Sequence, residues 1–382
     1  MSADALHQFG EFDPKVVVIQ PTPFCNIDCT YCYLADRDKF HVMTGDTLAR
    51  IFEQLELLAP ARQQVTVIWH AGEPMVLGAQ WYREAFDRIA QSSRIEAQHC
   101  LQTNATLLTP DWCHVLRDYR VQLGVSLDGP ADIQDAHRKT RAGSGTFDTV
   151  AKGLRLLEAN GVDFGVICVV TDKSVGRPED LFDFFDGLGI RQIAFNCEEL
   201  KGVNRRSSLA ADHHLEQYKF FLSTFWRLTQ DSKRKWNIRD INQVIDRLAG
   251  VDTTPNHTLN TVGNILSFTY SGDVSTFSPE LMNAAYGKFA TFALGNIHED
   301  SLQDLLSSPL AASMACEINA GIEKCRADYS YFAVCGGGDP ASKIFENGSF
   351  NSTETQFCRF TVQAPTDIIL AELDAGVGRR LA

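Results

Sequence analysis

Between Lys15 and Asn196, short β-branched apolar runs alternate with longer segments whose apolar residues recur at helical spacing. A strand covered on both faces reads as an unbroken apolar run, and a helix lying on a sheet reads as a single apolar stripe. The alternation therefore predicts repeated βα units and a parallel sheet. Six strands are expected, at 16–20, 65–70, 97–102, 121–126, 164–170 and 192–196, with the second helix near 79–92 and the fourth near 146–160. The expected fold is α/β, a partial (β/α)6 barrel of the TIM type.

After the sixth unit come two polar helical patterns at 212–230 and 239–248, then a linker-like stretch at 250–255. Apolar runs at 265–270 and 274–277 flank the turn Ser271-Gly272-Asp273, so a β-hairpin opens a second module. The chain divides into an N-terminal extension (1–14), the barrel (15–210), bridging helices (211–255), a loop-rich module (256–365) and a C-terminal helix and tail (366–382), the helix itself at 366–373.

The polar clusters follow strands. Three cysteines follow the first, Ala71-Gly72-Glu73-Pro74 the second, Gln102-Thr103-Asn104 the third, Ser126-Leu-Asp128 the fourth and Asn196-Cys-Glu198-Glu199 the sixth. In a barrel of parallel strands the active site is built at the C-terminal strand ends, so these segments should meet on one rim.

Composition narrows the partners. The chain has 382 residues, enough for a barrel and a smaller domain, and 35 Lys and Arg against 48 Asp and Glu give a net charge of −13. That balance argues against nucleic acid or an anionic membrane surface as the main partner. Neither a secretion signal nor an apolar run of membrane-spanning length is evident. Eleven cysteines in such a chain point to metal ligands and core thiols in an oxygen-poor cytoplasm rather than to disulfides.

Cys25, Cys29 and Cys32 are spaced C-x3-C-x2-C. Three thiolates in a tight loop suit a four-iron cubane with one iron left open, and an open position marks a reactive metal site rather than a structural one. The alternatives are a zinc knuckle, for which His41 is the only nearby extra ligand, and buried core thiols.

With Tyr31 just before the last cysteine, this segment resembles the signature of the radical S-adenosylmethionine enzymes. The resemblance implies that the methionine amino and carboxylate groups chelate the open iron of a [4Fe-4S] cluster, and that reductive cleavage releases a 5'-deoxyadenosyl radical. Ala71-Gly72-Glu73-Pro74 resembles the family's Gly-Gly-Glu-Pro element, where backbone and Glu73 meet the methionine ammonium. Ser126 and Asp128 match Ser-x-Asp-Gly-Pro and offer a hydroxyl and a carboxylate to ribose. Arg138, favoured over Arg141, is implied to approach the methionine carboxylate, the alternative being a solvated helix cap. Gln102 and Asn104, two apart, should point together toward the barrel mouth. Val169, Val170 and Thr171, Val170 foremost, would wall the adenine opposite Tyr31, unless they are simply core.

Cys316, Cys325, Cys335 and Cys358 form a second set whose spacing is too irregular for a zinc ribbon. Four thiolates would close every iron of a cluster, leaving it electron transfer or support. Gly336-Gly337-Gly338 would admit backbone amides to the sulfurs. The module resembles the SPASM extension of peptide-modifying radical enzymes, with Ser278, Tyr329 and Asp339 standing about where two-cluster versions carry further cysteines. One auxiliary [4Fe-4S] cluster is therefore expected, and Cys100, Cys113, Cys168 and Cys197 are read as core residues.

Longer strings, Gln20-Pro-Thr-Pro-Phe-Cys-Asn-Ile-Asp-Cys29, Tyr31-Cys-Tyr-Leu34, Thr276-Phe-Ser-Pro-Glu280 and Phe357-Cys-Arg359, are similar to the maturases that form cyclophanes in ribosomal peptides. The implied partners are a precursor peptide and an electron donor such as flavodoxin or ferredoxin. Closing such a ring needs a base, and Glu280 and Asp273 at the hairpin are the candidates, with Glu198 and Glu199 approaching from the sixth strand and surface carboxylates as the plainer reading of each. Hydroxylation, thioether formation, epimerisation and formylglycine formation share the opening step, and a non-catalytic electron relay is the alternative from another class.

Overall fold

The computed structural model describes residues 12–59, 61–251 and 258–381, with side chains on the last helix as far as Asp374. Most of the expected extension 1–14, and the 250–255 linker past Val251, lie outside the described residues.

Strands and helices alternate as the apolar pattern predicts: β1 (Val16–Ile19), α1 (Gly45–Leu58), β2 (Gln63–Trp69), α2 (Gly78–Ile89), β3 (Ile95–Thr103), α3 (Pro110–Asp118), β4 (Gln122–Ser126), α4 (Ala131–His137), α5 (Phe147–Ala159), β5 (Phe164–Val170), α6 (Pro178–Gly187) and β6 (Gln192–Cys197). Threonine caps start α1 and α3, where Thr44 and Thr109 accept the N–H groups of Thr47 and Trp112.

β1 to β6 pair in parallel and in chain order. Along them the side chains alternate: Val17, Ile19, Val65, Val67 and Trp69 face outward and are wholly buried, Trp69 packing edge-on against Tyr82 and Phe86 of α2. Ile68, Gln102, Gly124, Ser126 and Val169 face inward. A full eight-stranded barrel fills its centre with side chains. Here the centre is a cavity of about 950 Å³.

The bridging helices are α7 (His213–Asp231) and α8 (Arg239–Leu248), with the short β7 (Asn237–Ile238) between them pairing with β6. The hairpin is present as β8 (Ile265–Phe268) and β9 (Asp273–Thr276). It does not begin a separate sheet: β8 lies parallel to β1, Val16 opposite Ile265 and Ile19 opposite Phe268, and β10 (Gly295–Asn296) follows β9 to complete one ten-stranded sheet.

The remainder, expected to be loop-rich, is largely helical: α9 (Leu302–Leu306), α10 (Pro309–Asp328), α11 (Phe332–Cys335), α12 (Pro340–Asn347) and α13 (Ala364–Leu381), the last preceded by a π-helical turn, Cys358–Gln363. Local chemistry explains this. Ser308 caps α10 and Pro309 fills its first turn, while the Asp339 carboxylate accepts the N–H groups of Ala341 and Ser342 at the start of α12. α13 contains the expected 366–373 helix and packs on α7 and α8. Among the described residues no helix is long and apolar enough to cross a membrane.

Candidate active site

The thiol loop leaves β1 and is tied down on both sides. Cys25 N–H donates to Arg37 O (2.9 Å), Arg37 Nε donates to Asp28 Oδ1 (2.7 Å), and Asp28 and Thr30 donate backbone bonds to Lys139 and His137 beyond α4. Arg141 donates to Cys25 O at 2.8 Å and also to Arg37 O. It clamps the loop rather than facing a ligand. Cys25, Cys29 and Cys32 line the central cavity. Burial pushes the thiols of Cys25 and Cys29 up to about 12 and raises that of Cys32, so the thiolates need a cation. Among the described residues no three His, Cys, Asp or Glu side chains close around a single metal ion. His41 stacks on Tyr270, their ring centres 4.7 Å apart, rather than joining the thiols.

The turn after β2 packs directly on this loop. Ala71 and Gly72 hold left-handed φ angles of 71° and 81°, and a Cβ on Gly72 would lie 2.5 Å from Thr22 O. Glu73 is 1 % exposed. Its Oε1 accepts Met75 N–H and Thr103 Oγ1–H, and its Oε2 accepts Asn104 N–H at 2.8 Å, which leaves Oε2 capacity for one more donor. Burial raises its carboxyl to about 7. Asn104 Nδ2 lies 3.8 Å from Cys25 Sγ and 2.9 Å from Asn26 Oδ1. Gln102 donates to Ser126 Oγ at 2.8 Å, and both line the cavity. Gly124 makes room for that contact, since a Cβ there would meet Gln102 Oε1 at 2.1 Å.

Two sequence expectations are corrected here. Asp128 does not offer its carboxylate to a ribose: it accepts Arg138 Nε–H and Nη2–H at 2.9 and 3.0 Å, Tyr31 O–H at 2.5 Å and Val169 N–H at 2.9 Å, which uses all its acceptor positions. Asp128 is therefore a positioning residue, and Arg138, 6 % exposed, spends two donors on it while still bordering the cavity. Val170 is the second correction. It is wholly buried on the outer face of β5, whereas its neighbour Val169 borders the cavity, as strand alternation requires.

The cavity is also bordered by an ion cluster in which the candidate carboxylates Glu280 and Glu199 are joined by Lys201, a residue sequence reasoning missed. Lys201, beyond β6, contacts Glu199 at 2.8 Å, Asp339 at 2.9 Å and Glu280 at 3.4 Å. Glu199, Lys201 and Glu280 all border the cavity. Burial raises the Glu280 carboxyl, with Asp339 and Glu199 adding to the rise against the pull of Lys201. Asp339 is also pushed up by burial, yet Lys201 and the hydroxyls of Ser278 and Ser342 hold it well below the usual carboxylate range. Ser278 donates to Asp339 Oδ1 at 2.6 Å, so these two positions form a hydrogen-bonded pair. Asp273, the other candidate base, does not reach this site: it accepts bonds from Ser271, Thr269 and Asn296 and serves the hairpin turn. Tyr33 and His70, also unforeseen, line the cavity and hydrogen-bond to each other at 3.0 Å.

In the C-terminal module Cys325, Cys335 and Cys358 are 3, 3 and 2 % exposed. Cys335 and Cys358 share a hydrogen bond, and Gly337 and Gly338 present their amides to Cys335, as the triple glycine suggested. Cys316 is exposed and stands apart from them on α10. Cys113, Cys168 and Cys197 are buried as expected, whereas Cys100 is half-buried, and Cys100 and Cys197 both border the cavity.

This fold and this rim define the class. The Radical SAM superfamily profile matches residues 19–185, and the chain belongs to that superfamily. It is an enzyme that uses a [4Fe-4S] cluster and S-adenosylmethionine, and the three cavity-facing thiols, the spare acceptor on Glu73 and the free hydroxyl of Ser126 fit those groups. Over 370 residues the chain is 34% identical to the uncharacterized protein sll1766 of Synechocystis, covering 95% of this chain and 93% of that one. It is 28% identical over 324 residues to a serine-type anaerobic sulfatase-maturating enzyme of Bacteroides thetaiotaomicron, covering 77% and 75%. Among solved structures, anSMEcpe with bound AdoMet superposes with a TM-score of 0.78 at 19% identity, over 96% of this chain and 100% of that one, which establishes the shared fold.

Proposed function

We propose that this enzyme modifies a ribosomally made precursor peptide, joining a side-chain carbon to a nearby aromatic ring as a cyclophane. The observation that carries this reading is the placement of Glu280, beside Lys201, in the same cavity as Cys25, Cys29 and Cys32. With the cluster on those thiolates and S-adenosylmethionine bound, the site supplies a 5'-deoxyadenosyl radical.

The chain's own residues do the rest. Glu73 Oε2 would accept a hydrogen bond from the methionine ammonium, Ser126 would donate to a ribose hydroxyl, and Tyr31, held by Asp128, and Val169 would border the adenine. A carbon radical that bonds to an aromatic ring leaves one proton and one electron too many. Glu280 takes the hydrogen as a proton, and Lys201 steadies the carboxylate before that transfer. A cluster held by the cysteines of the C-terminal module would accept the electron, and Asp339, the partner of Lys201, lies four residues beyond Cys335. The peptide thus loses two hydrogens, one as an atom and one as proton plus electron, and a flavodoxin or ferredoxin supplies the electron that starts each turnover.

Support for a peptide substrate comes from anSMEcpe, solved with AdoMet and the Kp18Cys peptide together. The sulfatase-maturating relative favours a second reading, oxidation of a protein serine to an aldehyde. Co-expression with neighbouring small open reading frames and tandem mass spectrometry separates the two. A crosslink loses two hydrogens and suppresses fragmentation between the joined residues. An aldehyde that reacts with a hydrazide, or a gain of oxygen, overturns the cyclophane assignment.

A further inference from the structure

We infer that the C-terminal module holds its iron-sulfur cluster with three thiolates, Cys325, Cys335 and Cys358, that the buried ammonium of Lys343 takes the place of a fourth anionic ligand in the charge balance, and that Cys316 is not a ligand. This rests on the expectation that the module carries an auxiliary cluster, and refines its ligand set.

The geometry of α10 excludes Cys316. The helix runs unbroken from Pro309 to Asp328, and Cys316 and Cys325 are nine residues apart on it. Nine residues at 100° each is two and a half turns, so the two side chains leave on opposite faces, roughly 14 Å apart along the axis. The exposure of Cys316 and the burial of the other three thiols agree with that placement.

Lys343 supplies the second, independent observation. Its side chain is 2 % exposed, and its Nζ donates to Cys325 Sγ at 3.5 Å. No carboxylate lies within ion-pair distance of it among the described residues, in contrast to Lys201 with its three. A buried ammonium without an anion is strongly unfavourable, so the thiolates and what they bind must provide the negative charge. The charges close. An oxidised four-iron core carries two positive charges, three thiolates bring the assembly to one net negative charge, and Lys343 brings it to zero. A fourth thiolate would leave one buried negative charge unpaired.

The test uses the full chain with Cys25, Cys29 and Cys32 all changed to Ala, which leaves only the C-terminal site, reconstituted without oxygen. Iron, acid-labile sulfide and the reduced-state paramagnetic resonance signal are then measured. Adding Cys316→Ser should leave all three unchanged, whereas Cys325→Ser should remove most of the iron. Lys343→Met should move the midpoint potential to more negative values, and Lys343→Arg should restore it. Loss of the cluster in Cys316→Ser overturns the ligand set while upholding an auxiliary cluster. An unchanged potential in Lys343→Met overturns the role of the ammonium. Absence of any cluster from the triple variant, when the wild-type chain binds only one, overturns the auxiliary site itself.

Discussion

Arg138 and Asp128 meet edge to edge, Nε to Oδ2 at 2.9 Å and Nη2 to Oδ1 at 3.0 Å, with only 8 % and 1 % of their side chains exposed. Asp128 also fixes the Tyr31 hydroxyl. Removing one member of such a pair strands the other charge in the interior. Asp128→Asn should therefore cost about 3–5 kcal/mol of stability and weaken nucleotide binding together. Ser126→Ala, which leaves the pair intact, should weaken binding alone. Denaturant melts and titration with S-adenosylmethionine distinguish the two, and an Asp128→Asn protein that melts like the wild type would refute the positioning role.

Ala71 occupies a left-handed backbone conformation that glycine adopts without a Cβ clash. Ala71→Gly should raise stability by up to about 1 kcal/mol, the relieved strain being partly offset by the freedom glycine gains when unfolded. A fall in the unfolding midpoint would show the turn to be unstrained.

Glu73 titrates near 7 in the fold and near 4.5 when unfolded. The fold favours its protonated form, so its contribution is fully present below about pH 4.5 and is lost as pH rises to about 7, a change on the order of 3 kcal/mol. In metal-free protein the stability difference between wild type and Glu73→Gln should move in that direction over this window. In cluster-loaded protein, S-adenosylmethionine should bind more tightly as pH rises through 7, because only the carboxylate pairs with the ammonium. A pH-independent affinity would exclude Glu73 from that contact.

Glu280→Gln should separate the two halves of the reaction. 5'-Deoxyadenosine formation should persist, while crosslinked peptide falls about 10²–10⁴-fold, the usual worth of a positioned base. Asp273→Asn, which disturbs only the hairpin turn, should reduce both in proportion to any loss of folded protein. Equal loss of both products in Glu280→Gln would remove it from the proton step.

The barrel and its rim were legible in the sequence because apolar periodicity and strand-end clusters are local signals. Val169 and Val170 could not be told apart, since a cofactor-facing wall and a helix-covered face are both apolar. Lys201 left no signal: two of its three carboxylate partners, Glu280 and Asp339, come from remote segments, and ion pairing carries no periodicity. The parallel contact of β8 with β1 was equally silent. That Cys316 and Cys325 share one helix went unread because the cysteine spacing suggested loops, although Ser308 and Pro309 mark a helix start.

With β8 stitched to β1 through four consecutive residue pairs, the hairpin extends the barrel's own sheet and shares its backbone hydrogen bonds. Cutting the chain before β8 would strip a flank from the barrel and would not release an independently folding catalytic half.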